Sequence, residues 1–221
     1  MLVAAAAGGT GWAVAELARP RRADIRVFDP DEVARLETAM WRSYYDRRRL
    51  PLFGQLVTLL QGQFHLQPLR AVTLAALAAR AAAVFQVGAS SADYRRALPY
   101  LERYYAGIRA VSEVPFDPGR AAWLELEWWI AHREVDDHPP GDLEAALADL
   151  AAELYQLPAE RLWAHAARRA EAMAIRDRTA RREVGVLDDD WDRIEAVLWV
   201  AWKALADEVR VVRDEEATQE A

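Results

Sequence analysis

The sequence predicts an all-α fold, a single helical bundle of about seven helices with room for one extra N-terminal helix. Three observations carry this. No stretch alternates apolar and polar residues with period two, as a half-buried strand would. Proline, Asp-Pro and Ser-Ser pairs recur at intervals suited to helix starts. A content of 53% hydrophobic and 29% charged residues over 221 positions supports one packed core rather than a disordered chain.

The first segment, residues 1–28, is apolar through Ala18 and then carries Arg19, Arg21 and Arg22. Spanning a bilayer takes about 20 apolar residues, and this run is slightly shorter and holds Glu16. It reads either as a membrane anchor or membrane-resting helix, or as a water-soluble helix. In the first case the arginines keep the main domain on the cytoplasmic side. The expected location is therefore cytoplasmic, or at the inner membrane facing the cytoplasm. Gly9-Thr10-Gly11 is not a dinucleotide turn, because Val14 stands at the third glycine position and no strand precedes it.

The bundle proper is expected over residues 29–212. Asp29 caps a helix that starts at Pro30 and runs to about Arg48. Pro51 starts the next, to about His65, and Pro68 another, to about Val87 before Gly88. Ser90-Ser91 caps a helix to about Val111, with a kink at Pro99. Asp117-Pro118 opens a Trp-containing helix to about Val135. Helices near 142–156, 158–180 and 189–211 follow, and residues 213–221 form an acidic tail expected to fray.

Composition narrows the function classes. The formal charge of −7 disfavours a nucleic-acid partner. The basic run Arg168–Arg182, broken by Glu171 and Asp177, reads as a solvated helix face. With no cysteine, thiolate metal sites, disulfides and Cys nucleophiles are excluded. No cofactor is expected, since phosphate-cradling glycine loops are absent. No metal is expected either, since His-x-x-x-His and Glu-x-x-His pairs are absent. Glu125 and His132 are two turns apart, about 10 Å along an axis, too far to share one ion easily.

Projection at about 100° per residue shows which polar groups fall on apolar faces. Glu37 lies inside the stripe of Val33, Leu36, Met40, Trp41 and Tyr44. Gln63 lies among Leu52, Leu56 and Leu59, and Glu195 between Trp199 and Trp202. Glu125 and His132 share a line flanked by Trp128 and Trp129, opposite Arg120, Glu127 and Glu134; either line can be the inner one. The helix from 69 to 87 is apolar nearly all round and reads as central, with Arg80 as its one mid-helix charge. A guanidinium stays charged, so its burial requires a carboxylate or an anionic ligand.

The candidate constellation is therefore Glu37, Trp41, Tyr44, Gln63, Arg80, Glu125, Trp128, Trp129, His132 and Glu195. Three readings stay open. It is an ion network that specifies the fold of a structural or interaction protein at a membrane face. It is a Trp-lined pocket in which Arg80 anchors a small anionic or amphipathic ligand, a lipid included. Or it supplies Glu/His acid–base chemistry to an enzyme.

The segments Glu37-x-x-Met40-Trp41-Arg42-x-Tyr44-Tyr45 and Glu125-Leu126-Glu127-Trp128-Trp129-x-x-His132-Arg133 resemble the E-x-x-M-W-R-x-Y-Y and E-L-x-W-W-x-x-H/R-R signatures of a bacterial all-helical family. The likeness spans roughly residues 30–205 and brings no activity with it.

Overall fold

A computed structural model describes residues 21–219, and it is helical throughout. Eight helices of twelve residues or more form the described body, with one short helix between the third and the fifth. They are α1 (Pro30–Tyr45), α2 (Arg49–Phe64), α3 (Pro68–Gln86), α4 (Ser91–Arg95), α5 (Leu98–Arg109), α6 (Pro118–Arg133), α7 (Asp142–Tyr155), α8 (Trp163–Ala180) and α9 (Asp188–Gln219). A 3₁₀ turn, Ala159–Leu162, leads into α8. Among the described residues the only extended pairing is an isolated bridge between Ala23 and Ser112.

Local chemistry sets the boundaries. The Asp29 carboxylate accepts from the Asp31 amide at 2.9 Å, and Asp117 accepts from the Arg120 amide at 2.6 Å, satisfying first-turn donors. Pro99 does more than kink the expected 91–111 helix. It splits the segment into α4 and α5 and sits in the first turn of α5, where a missing N–H costs nothing. His65 takes a left-handed conformation (φ 54°) that ends α2 and turns the chain back into α3. The exposed carbonyls ending α3 are met from α6, where Arg133 donates to Phe85 O at 2.7 Å and Gln86 O at 3.0 Å.

The long helices close a ring by pairwise packing in the order α1, α2, α3, α5, α6, α7, α8, α9 and back to α1. Gly107 lets α3 and α5 approach closely, since a Cβ there would collide with Leu74. Apolar side chains from around the ring, among them Leu60, Leu101, Leu126, Leu162, Leu198 and Leu205, form the main core. A smaller cluster around Leu147, Ala166 and Met173 is joined to it by Trp41 and Trp128.

Two expected boundaries move. Residues 23–28 belong to the bundle: Ile25 is fully buried, and Phe28 packs on Tyr155 and Trp202. The last helix runs on to Gln219 because helix-forming Glu and Ala continue it and ion pairs hold it. Arg26 bonds Glu216 at 2.9 Å, and Arg213 bonds Asp24 at 3.0 Å. The segment Met1–Ala18, expected as a membrane anchor or surface helix, lies outside the described residues.

Candidate functional site

Polar side chains from seven of the eight long helices meet inside the ring. Glu37 comes from α1, Gln63 from α2, Tyr104 and Tyr105 from α5, and Glu125, Trp128 and Trp129 from α6. Tyr155 comes from α7, His165 and Arg169 from α8, and Trp202 from α9.

Its charged centre is the pair of Glu37 and Arg169. Glu37 is 5% exposed, and the heptad-like run of Val33, Leu36 and Met40 turns it inward with them. Its Oε1 accepts from an Arg169 Nη at 2.5 Å, and its Oε2 accepts from Trp202 Nε1 at 2.6 Å. The Arg169 guanidinium lies 5.8 Å from the Trp128 ring and 5.5 Å from the Trp202 ring. A planar, weakly hydrated cation tolerates such a place because one carboxylate neutralises it and two indole faces stabilise it.

Glu125 forms the second half. Its Oε2 accepts from the Tyr105 hydroxyl at 2.8 Å and its Oε1 from Trp129 Nε1 at 2.9 Å. Burial raises its pKa, and the surrounding indole and phenol donors and Arg169 offset this only in part. Burial and then the Glu125 charge push the phenols of Tyr104 and Tyr105 up, so both stay protonated. Tyr155, pushed up to about 12 by burial, accepts from Gln63 Nε2 at 3.0 Å. His165 is held down at about 3, first by burial and then by the Arg169 charge, and is therefore neutral. Its Nδ1 faces the Ala201 carbonyl at 2.9 Å, which assigns the proton to that nitrogen.

Arg169 Nε and Trp128 Nε1 are buried without a well-formed hydrogen bond. Glu125, Tyr104 and Arg169 lie deep in protein yet keep some surface for water. Two surface depressions, of about 370 and 460 Å³, lie elsewhere, one beside Arg120 and Glu153 and one beside Val211 and Thr218.

The structure gathers Glu37, Gln63, Glu125, Trp128 and Trp129 into this cluster, with Trp41 half-buried at its border. It leaves the others out. Arg80 is exposed and stacks on Tyr100 at 5.7 Å, because α3 is an outer helix whose alanines tolerate water, not the central helix its composition suggested. Glu195 is exposed because Ile194 and Leu198 take the buried face of α9; its neighbour Trp199 also faces outward and bonds Asp31. Tyr44 is exposed against Tyr45.

His132 turns away from Glu125 to Asp177 of α8, at 3.1 Å. There His132 and Arg176 hold the Asp177 carboxyl below its usual range despite the burial that pushes it up. Arg169, read from the sequence as part of the solvated basic face Arg168–Arg182, is instead turned inward to Glu37, His165 is buried where the sequence places it on a solvent face, and Tyr155 is not among the candidates. The signal for Arg169 was present: it shares an inward stripe with Ala166, Ala170 and Met173 at helical spacing, while Arg168 beside it is exposed and pairs with Glu171. No family model, no curated protein and no solved structure matches this chain.

Proposed function

We propose that this protein is a helical interaction scaffold whose central charges specify which helices pack and in what register. One observation carries the reading. All four oxygens of the two interior carboxylates, Glu37 and Glu125, are taken by protein donors, and three of those donors come from other helices of the ring. His165 is tied to a backbone carbonyl. Groups so engaged serve register better than proton transfer, since a general acid or base must reach a substrate atom.

The test is a double-mutant cycle. Glu37→Leu alone should cost about 3–5 kcal/mol in urea denaturation, because it strands a buried guanidinium. Glu37→Leu with Arg169→Leu should recover most of that loss and keep the helical circular dichroism. A double variant no more stable than the single one would sink the scaffold reading.

A second reading rests on the two donors that lack a well-formed hydrogen bond. Arg169 Nε and Trp128 Nε1 would suit a small carbonyl or carboxylate ligand beside the indoles. Native mass spectrometry of the full chain tests it: a co-purifying acceptor-bearing molecule, lost on Arg169→Leu, favours this reading over the first.

A further inference from the structure

The α2–α3 hairpin differs from the rest of the surface. Between Asp46 and Asp93 the sequence holds no acidic residue, and the exposed Arg47, Arg48, Arg49 and Arg80, with the buried Arg70, make the stretch positive in a chain of formal charge −7. Large apolar side chains stand in water there. Leu50 is 87% exposed and Val87 83%, the two highest values for large hydrophobics among the described residues. Because residues 65–67 reverse the chain between two packed helices, Leu50 near the start of α2 and Val87 at the end of α3 both lie toward the open end of the hairpin. The exposed Arg47, Arg48 and Arg49 adjoin Leu50.

α3 adds a broad, weakly apolar wall. It is long and apolar enough to cross a membrane by length and composition, yet only 22% of it is buried. Val72, Ala76, Ala79 and Ala83 follow helical spacing along its outer side. Its other side packs on α2 and α5, which suits a helix resting against a surface rather than one crossing it.

A face that is apolar and basic, with Asp46 and Asp93 at its borders, complements anionic headgroups above acyl chains. A second copy of the chain fits it poorly, since a two-fold pairing would bring the same arginines together. We propose that the outer face of the α2–α3 hairpin docks this protein on an anionic lipid bilayer. Leu50 and Val87 enter the acyl boundary, and Arg47, Arg48 and Arg49 meet the phosphates. The scaffold reading enters only in that this would be the scaffold's partner; the interior network takes no part.

The experiment is co-sedimentation of the full chain with vesicles of phosphatidylcholine, alone or mixed with phosphatidylglycerol. Binding should require the anionic lipid and weaken with salt. Arg47→Gln with Arg48→Gln and Arg49→Gln should lower the partition coefficient about a hundredfold. Leu50→Asp with Val87→Asp should remove binding while leaving circular dichroism unchanged, as both side chains are exposed. Three outcomes overturn the proposal. The wild type does not bind anionic vesicles. Both variants bind as the wild type does, which assigns the contact to Met1–Ala18 or another face. Or sedimentation velocity finds a dimer that Leu50→Asp with Val87→Asp dissociates, which makes the face a self-association surface. None of these touches the denaturation cycle on Glu37 and Arg169, so the two readings fail separately.

Discussion

Arg80 and Arg169 stand in similar local sequences and end in opposite places. Arg80 lies among Ala78, Ala79, Ala81 and Ala82 on α3, and Arg169 near Ala166, Ala167 and Ala170 on α8. One guanidinium lies in solvent over Tyr100; the other is enclosed by Glu37, Trp128 and Trp202. Alanine permits both outcomes, since it forms helix well and its small methyl gains little from burial. What decides is the residue that arrives from across the ring. α8 faces α9 and α7 with α1 close behind, and α1 brings a carboxylate. α3 packs on α2, α4 and α5, and its outer side meets water.

The difference should be largest in the response to charge deletion. Arg169→Leu leaves Glu37 buried with its indole donor alone, and should cost about 3–5 kcal/mol in chemical denaturation. Salt should change that loss little, because the pair is shielded from counter-ions. A loss below about 1 kcal/mol would mean that Glu37 reaches water when its partner is gone, and the enclosed centre described above would be wrong.

A smaller effect, set first by burial and then by the same guanidinium, should appear on acidification. His165 sits near Arg169 with a folded pKa of about 3 against an ordinary histidine value of 6.5. A lowered histidine binds its proton in the unfolded chain first. Its contribution is intact above pH 6.5 and is lost as pH falls from there toward 3, roughly 2 kcal/mol by about pH 5. Glu125 acts with the opposite sign: its raised pKa means stability is lost as pH rises above the ordinary glutamate value of 4.5. His165→Asn keeps a donor for the Ala201 carbonyl and cannot titrate. Its stability, followed by urea titrations between about pH 5 and 7, should therefore fall less than the wild type's. Equal slopes would mean that His165 is protonated without penalty and lies outside the field of Arg169.

How far the sequence announces this arrangement follows from the same physics. Helix starts are local, so Asp29-Pro30, Pro68 and Asp117-Pro118 are legible and the all-α class with them. Glu37 is legible too, because one helix wheel suffices to place it among Val33, Leu36 and Met40. Its partner is not, because Arg169 stands 132 residues away and looks like one cation in a basic run. Tryptophan misleads for a related reason. Trp202 is buried against Glu37, while Trp199 is 44% exposed and bonds Asp31, and both carry the same apolar bulk in the sequence. An amphipathic ring can end at the surface as well as in the core.

The smallest expected effect is the one that most directly tests the comparison. Arg80→Ala removes a guanidinium that has water on one side and the Tyr100 ring on the other. An exposed cation–π contact contributes about 0.5–1 kcal/mol, and alanine returns a few tenths through its higher helix propensity. The net change in stability should thus lie within about 0.5 kcal/mol, at least six times smaller than for Arg169→Leu. If Arg80→Ala instead destabilised by as much as Arg169→Leu, then α3 would be a central helix after all. The ring order that leaves its outer side to water, and the outward face of α2 and α3 with it, would have to be abandoned.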